Sequence, residues 1–170
     1  MLRKGIVIAA LCLLPAVAHA QTARGPFELT LSGSGANGPK FDGFTAAANG
    51  SIGFYFNDNF ELSGRQSIAY SDIAGESWDA STRVALDFHL PLGDQGQFVP
   101  FVGGNIGYVY GDAVHDTFEA APEAGIKFYV NATTFIFVSM EYQFFFDRHS
   151  TTKAFSDGQF IYGLGLGFRF

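Results

Sequence analysis

Eight segments of this chain alternate between apolar and more polar residues with a period of two, which is the period of a β-strand. In the fourth segment one phase includes Trp78 and Phe88, while the opposite phase includes Arg83 and Asp87. Across all eight segments the apolar phase contains no Asp, Glu, Lys, Arg or His. The alternation predicts strands over Phe27–Gly35, Phe44–Phe56, Phe60–Tyr70, Trp78–Leu90, Phe98–Tyr110, Phe118–Val130, Thr134–Phe146 and Phe160–Phe170.

The direction in which the apolar phase faces decides what kind of barrel these strands can form. A soluble barrel puts its apolar phase inside, but eight strands enclose only enough space for ordinary side chains, and the chain has 20 Phe. The opposite phase of the last segment is Ile161, three glycines and Arg169, which makes a poor water-facing surface. Strands of this length suffice to cross a bilayer at a tilt. We therefore predict an all-β fold, an eight-stranded antiparallel up-and-down transmembrane β-barrel with its apolar phase facing lipid.

The first 20 residues have the three parts of a secretory signal peptide. Arg3 and Lys4 precede an apolar run, which ends at the small-residue cleavage site 18–20. We predict that residues 1–20 are removed and that residues 21–170 form one barrel domain. Cys12 lies in the signal, so the barrel has no thiol for a disulfide or a metal. The whole chain has 16 acidic and 10 basic residues, which argues against nucleic-acid binding.

The connections between the predicted strands alternate in length, as do those of outer-membrane barrels, which have short periplasmic turns and longer external loops. The short set is 57–59, 91–96 and 131–133, and the generally longer set is 36–43, 71–77, 111–117 and 147–159. Aromatic residues cluster near both ends of the strands, which predicts two aromatic girdles. Near the long loops these are Tyr70, Trp78, Tyr108, Tyr110 and Tyr162, and near the short turns Phe56, Phe60, Phe128, Phe168 and Phe170.

With these features the chain resembles, over residues 21–170, the small outer-membrane β-barrels of the OmpA/OmpX type. The resemblance implies a bacterial outer-membrane location among lipids and lipopolysaccharide. It also implies that the barrel-assembly machinery reads the final alternating strand, whose members are Tyr162, Leu164, Leu166, Phe168 and Phe170. Because the sequence stops at Phe170, we expect no peptidoglycan-binding domain such as the OmpA proteins carry. We expect no cofactor and no metal.

The inward phase predicts a network of charges inside the barrel. If strands 6 and 7 pair about Ala132, Glu123 lies opposite Glu141, and two neighbouring carboxylates need a proton or a cation. Arg65 and Arg83 lie inward at comparable height. The predicted lumen network is Arg65, Arg83, Asp87, Glu123, Lys127 and Glu141. Its two interpretations are an ionic plug that makes the barrel rigid and a narrow gated pore.

Three local expectations concern how the strands pair. Closure of the barrel places strand 1 beside strand 8, so we predict an ion pair between Glu28 and Arg169 at the periplasmic end. Pro122 has no backbone N–H to donate, so we predict a bulge or a local irregularity in strand 6. The turn 91–96 has the wrong parity to pair Leu90 with Gln97 and keep both phases, so its register stays open.

The remaining motifs give little support to an enzyme. Residues 33–38 match the dinucleotide fingerprint, but that motif requires a following helix, and Pro39 and another strand follow instead. In loop 147–150, His149 as base and Ser150 as nucleophile would point apart on an extended chain, and no orienting residue is evident. His115 and Asp116 lie in another predicted external loop. The basic loop residues Lys40, Arg148 and Lys153 are candidate contacts for lipopolysaccharide phosphates or for a host partner.

We therefore expect a non-enzymatic outer-membrane protein with a structural or loop-mediated role, such as envelope integrity or adhesion. The first alternative is a narrow channel for small solutes or ions. The second, less favoured alternative is a lipid A-modifying enzyme. Partners expected from the resemblance and the loop charges are outer-membrane lipids, lipopolysaccharide, the assembly machinery and a host or surface ligand.

Overall fold

The predicted fold is confirmed by a computed structural model, which describes residues 24–37, 43–72, 75–93, 96–112, 116–146 and 158–170. It is a closed barrel of eight antiparallel strands in which each strand pairs with the next and β8 pairs with β1. No helix long and apolar enough to span a membrane occurs in this part of the chain. The strands are β1 Phe27–Asn37, β2 Phe44–Tyr55, β3 Phe60–Ser71, β4 Ser77–His89, β5 Phe98–Gly111, β6 Thr117–Tyr129, β7 Thr134–Phe146 and β8 Gln159–Arg169.

The apolar phase forms the outer surface and the charged phase lines the lumen. Large apolar side chains such as Ile106, 68% exposed, form the outer wall, while Asp87 and Glu28 are buried inside. Phenylalanine rings pack against each other around the end with the short turns, which we call the periplasmic end after its predicted location; for example, Phe60 packs on Phe88 with centroids 5.1 Å apart. The surface therefore suits acyl chains, because a water-facing barrel would place these side chains inside.

The glycine face of β8 accommodates rings from the neighbouring strand. A Cβ atom added to Gly167 would meet the ring of Phe135, and one added to Gly165 would meet the ring of Phe137. Phe135 is completely buried. The missing side chains on β8 thus make room for the β7 rings that fill the periplasmic half of the lumen.

Pro122 interrupts one strand ladder without shifting its register. The pairing of β6 with β7 is the same on both sides of it, with Ala120 opposite Phe144 and Glu123 opposite Glu141. Only the pairs of residues 121 and 122 are missing from this ladder. The predicted irregularity is therefore a local gap and not a bulge, as expected where a nitrogen has no hydrogen to donate.

The pairing of β4 with β5 next to their connecting turn, which the sequence left open, follows from a turn shorter than the predicted 91–96. Leu92 bridges to Phe98, and the Leu90 N–H donates to the Pro100 carbonyl at 2.9 Å. Gly93 and Gly96 have φ of 87° and 58°, values that glycine adopts without strain. Leu90 thus pairs with Pro100 instead of Gln97, and both phases continue into the turn.

A closed hydrogen-bond ring lies on the lipid-facing surface of β3, β4 and β5. The Thr82 hydroxyl donates to Gln66 Oε1 at 2.7 Å, and Gln66 Nε2 donates to the Tyr110 oxygen at 3.2 Å. Because the hydrogen of Thr82 is used, the Tyr110 hydroxyl donates to Thr82 Oγ1 at 3.3 Å. The second Gln66 N–H donates to the Ser67 carbonyl at 3.1 Å. Every donor is thus satisfied within the protein, as the hydrocarbon region requires.

Breaking this ring is expected to destabilise the barrel modestly. Thr82→Val removes the hydroxyl while keeping the shape, so Gln66 Oε1 and the Tyr110 hydroxyl each lose a partner. We expect the free energy of unfolding to fall by about 0.5–1.5 kcal/mol. Urea unfolding in liposomes, followed by the fluorescence of the single tryptophan Trp78, measures this, and Thr82→Ser is the matched control. Equal stability of the Val and Ser variants would show that the ring does not contribute.

Candidate functional site

The candidate site is the lumen, whose periplasmic half is organised around one buried lysine. Lys127 on β6 is 4% exposed, and its Nζ lies 2.5 Å from Glu28 Oε1 on β1 and 3.0 Å from Glu61 Oε2 on β3. It also donates to the Tyr55 hydroxyl at 3.0 Å. We call Lys127, Glu28, Glu61 and Tyr55 the lysine cluster. It joins four strands across the lumen.

A second group of charges, farther from the periplasmic end, is built on two arginines. Arg65 on β3 binds Glu123 through two hydrogen bonds of 2.6 and 2.7 Å, and its Nη2 lies 2.6 Å from Asp87 Oδ2. Arg83 on β4 pairs with Glu141 at 2.7 Å and lies 3.8 Å from Glu119. Asn105 Nδ2 donates to Glu123 at 3.3 Å and to Glu141 at 3.0 Å. We call these seven residues the arginine cluster.

Both clusters share one arrangement, in which each cation lies between two carboxylates. Lys127, Arg65 and Arg83 together serve six buried Asp and Glu side chains. Buried charges are stable only when they are paired and hydrogen-bonded. The arrangement therefore ties β1, β3, β4, β6 and β7 to each other and leaves the lumen with an excess of negative charge.

The periplasmic opening is closed by two arginines and a set of rings. The Arg24 guanidinium lies 3.5 Å from the centroid of the Tyr129 ring, and its Nη2 donates to the Gly96 carbonyl at 2.8 Å. The Arg169 guanidinium lies 3.6 Å from the Tyr55 ring centroid. Val99, Tyr129 and Phe135 form a buried cluster. We call these residues, with Tyr55, the periplasmic seal.

The predicted ion pair between Glu28 and Arg169 is wrong, although the two residues lie opposite each other in register. No salt bridge in the described part of the chain joins them. Glu28 binds Lys127 from across the lumen, and Arg169 stacks on Tyr55 and donates to the Gly25 carbonyl at 2.9 Å. The carboxylate thus pairs with a more deeply buried cation, while the arginine covers the opening.

The opposite wall of the lumen leaves a cavity of about 120 Å³. It is bounded by the charged clusters on one side and by small polar side chains on the other, which are Thr30, Ser32, Asn49, Ser51, Ser67 and Ser139. The lumen is therefore asymmetric: most of its long charged side chains come from β3, β4 and β6, and β8, β1 and β2 leave space beside them.

Several solved structures that resemble this barrel are bacterial outer-membrane proteins. The N-terminal β-barrel domain of OprF from Pseudomonas aeruginosa matches with a TM-score of 0.59 and 19% identity, over 88% of this chain and 100% of that chain. This chain has the fold of the small outer-membrane β-barrels of the OmpA/OmpX type. Neisserial surface protein A matches this chain with a TM-score of 0.58 and 8% identity, over 85% of this chain and 94% of that chain.

A third match is the outer membrane protein OprG from Pseudomonas aeruginosa, with a TM-score of 0.56 and 10% identity, over 87% of this chain and 97% of that chain. No family model matches the sequence, and no curated relative matches it. At these identities the likeness shows the fold of the OmpA/OmpX-type barrel and leaves its role to be argued from the site.

Several site residues of this barrel lie outside the predicted lumen network. Glu61, Glu119 and Tyr55 are buried lumen residues with ionic or hydrogen-bond partners. His89 is also buried, with its Nε2 3.4 Å from Glu61 Oε2. All four stand in the inward phase, and this was the signal that could have found them.

The other predicted sites divide between those the structure describes and those it does not. All six residues of the predicted lumen network lie inside the barrel, with Lys127 in the lysine cluster and the other five in the arginine cluster. Among the described residues no group of three or more His, Cys, Asp or Glu could hold a metal ion. The predicted signal, residues 1–20, and His115, Lys40, Arg148, His149, Ser150 and Lys153 lie outside the described residues.

Proposed function

We propose that this chain is a bacterial outer-membrane protein that does not conduct along its axis and that supports interactions made by its external loops. Its role would be envelope integrity or adhesion. The observation that carries the proposal is the lumen itself, which is crossed by Lys127, Arg65 and Arg83 with their carboxylates. A pore for solutes would need to leave this path open.

The periplasmic seal supports the same conclusion independently of the ionic clusters. Arg24 and Arg169 each stack on a tyrosine at the end of the lumen, and Phe135 behind them is completely buried. Stacked guanidinium groups and packed rings exclude water, so ions entering from outside would stop here.

A narrow channel is the second candidate, and the cavity beside the clusters favours it. This cavity is lined by hydroxyl groups of Thr30, Ser32 and Ser139 among others, and such groups can solvate a small ion. Opening it to the periplasm would require the seal to move. We rank this candidate below the closed barrel because the seal has contacts from both termini of the described chain.

A non-enzymatic role is part of the proposal. The buried carboxylates have cation partners on other strands, so a rigid ionic core explains them and no catalytic role is needed. The proposed surroundings are outer-membrane lipids and lipopolysaccharide, with a host or surface ligand at the loops. The five alternating residues of the predicted assembly signal on the final strand are all exposed on the outer face, as recognition by the assembly machinery would require; they are Tyr162, Leu164, Leu166, Phe168 and Phe170.

Single-channel recording in planar bilayers tests the closed lumen. The wild-type barrel is expected to show no large, steady conductance. The double variant Glu123→Gln with Glu141→Gln is expected to lower the unfolding temperature, because Arg65 and Arg83 each lose a charged partner, and to leave the conductance low because the seal is intact. A steady wild-type pore would overturn the proposal in favour of the channel.

The loop role needs a test in cells. In a deletion strain, the wild-type gene is compared with a variant in which 147–157 is replaced by a Gly-Ser segment of equal length. We expect both proteins to restore resistance to detergent if the barrel itself supports the envelope, and only the wild type to restore adhesion. If the deletion changes neither property, the proposed role is wrong. A changed lipid A mass in the deletion strain would instead support the enzyme.

A further inference from the structure

The seam between β1 and β8 is paired only in its periplasmic half. Pairing runs from Glu28 opposite Arg169 to Ser32 opposite Gly165 and stops there. β1 nevertheless continues to Asn37 and β8 begins at Gln159, so the outer half of each strand lies beside the seam without partners across it. The β1–β2 seam, by contrast, is paired along all of β1.

The unpaired backbone groups point into this seam. Phe27 and Phe170 exchange both backbone hydrogen bonds, and in an antiparallel ladder such pairs recur at every second residue. Continued pairing would therefore join Gly33 to Leu164 and Gly35 to Tyr162, but between described residues no pairing crosses the seam there. Unpaired backbone groups are costly against lipid, so this part of the seam is more polar than the rest of the outer wall.

The glycines on both sides show that the strands have moved apart. A Cβ atom added at Gly165 would meet the Leu31 carbonyl of β1, whereas one added at Gly163 would meet only atoms of β7. A Cβ atom at Gly35 would meet only atoms of β2. Ser34 belongs to the inward phase and is nonetheless exposed. The seam therefore widens from Gly165 outwards.

The lumen cavity reaches this opening from inside. Thr30 and Ser32 of β1 and Ile161 and Gly163 of β8 line it, and so does Tyr162, which belongs to the lipid-facing phase. Tyr162 is 74% exposed and Leu164 is 66% exposed. The cavity thus borders the unpaired part of the β1–β8 seam from inside.

We propose that this seam is a lateral portal that admits the polar head of a single-chain amphiphile from the outer half of the membrane into the lumen cavity. The hydroxyl groups of Thr30, Ser32 and Ser139 would bind the head, and the rim formed by Leu31, Tyr162 and Leu164 would contact the chain. The head is neutral or cationic, because five carboxylates and only three cations line the cavity and an anionic head would be repelled. The five are Glu28, Glu61, Asp87, Glu123 and Glu141.

The size of the cavity supports a single chain and a compact head. A volume of about 120 Å³ is too small for a headgroup that carries several acyl chains. A free strand edge can also pair with a strand from another polypeptide. A strand paired with this edge would leave the polar cavity behind it unfilled. An amphiphile would occupy both the seam and the cavity, so we favour it over a pairing strand.

Amide NMR in nanodiscs tests the portal. The barrel is titrated with dodecyltrimethylammonium and, separately, with dodecyl sulfate, which has the same chain and the opposite charge. We expect saturable shifts at the amides of Ser32, Gly33 and Gly163 with the ammonium probe and none with the sulfate. Equal shifts with both probes, or no saturable shift, would overturn the proposal.

Closing the seam provides the decisive control. The disulfide of Ser34→Cys with Gly163→Cys spans the portal, and the disulfide of Ser34→Cys with Ala47→Cys spans the paired β1–β2 seam; residues 21–170 contain no other cysteine. We expect binding to be lost in the first variant, restored by its reduction, and kept in the second. Binding that survives closure would mean entry along the axis and would overturn the portal.

Hydrogen exchange of the wild-type barrel needs no variant. The amides of Gly33, Gly35, Tyr162 and Leu164 are expected to exchange faster than those of Leu29 and Leu31 at the paired part of the seam. Protection of the four amides in a nanodisc holding one chain would show a closed seam. Protection with two chains per disc would show that a second copy pairs with this edge. Either result would overturn the portal.

Discussion

Lys127→Met is expected to lower the free energy of unfolding by about 3–5 kcal/mol, because it leaves buried carboxylates without their cation. Glu28 and Glu61 both bind this ammonium group, at 2.5 and 3.0 Å, and both are buried. Arg169 does not replace it, since its guanidinium lies over the Tyr55 ring. Methionine has nearly the same length as lysine, so the loss of stability reports the removal of the charge. Urea unfolding in liposomes measures it.

A charge-free version of the lysine cluster is the control. The triple variant Lys127→Met with Glu28→Gln and Glu61→Gln removes the cation and both anions together. Because replacing a whole buried ionic group is often nearly neutral while removing one member is not, we expect the triple variant to recover most of the lost stability. If the triple variant is no more stable than Lys127→Met, the cost lies in packing around the lysine and the ionic account is wrong.

Register along the sheet could be predicted from the sequence because it is a local property. Period-two alternation fixes which side chains face the lumen, and the short turn about Ala132 fixes which residues of β6 and β7 face each other. Glu123 accordingly lies opposite Glu141. The same logic places Glu28 opposite Arg169, and both predictions of position were correct.

Partner choice across the lumen could not be predicted in the same way. Lys127 and Glu28 are far apart in sequence and lie on strands that do not pair, so their contact depends on how far each side chain reaches across the barrel. Long side chains from β3, β4 and β6 fill one side, and small side chains on β1 and β2 leave the other side open. Sequence analysis identified the inward charges but could not tell how far each side chain extends across the lumen. It therefore paired Glu28 with Arg169, its neighbour in the sheet.

The opening between β1 and β8 was not predictable from the alternation either. Both strands continue their two phases through the region where pairing stops. Gly33 and Gly35 on β1 are weak strand formers, and in retrospect they mark the place where the two edges separate. A sequence pattern reports which face a residue takes, and it does not report whether the adjacent strand is within hydrogen-bond distance.

Gly167→Ala, on the glycine face of β8, is expected to lower the stability of the barrel. Alanine normally stabilises a strand relative to glycine by roughly 0.5–1 kcal/mol, but here the new methyl group would meet the completely buried Phe135 ring. Overpacking of this kind costs about 1–3 kcal/mol, so we expect the sign to reverse. Urea unfolding followed by Trp78 fluorescence measures the change.

Gly64→Ala is the matched control, because a Cβ atom there, on the outer face of β3, meets nothing within 4 Å. This variant is expected to be as stable as the wild type or slightly more stable. Trimming the ring in the double variant Gly167→Ala with Phe135→Leu should recover part of the loss, since the methyl group then has room. Equal stability of the two alanine variants would mean that the Phe135 ring moves aside freely, and β8 would then need another reason for its bare inner face.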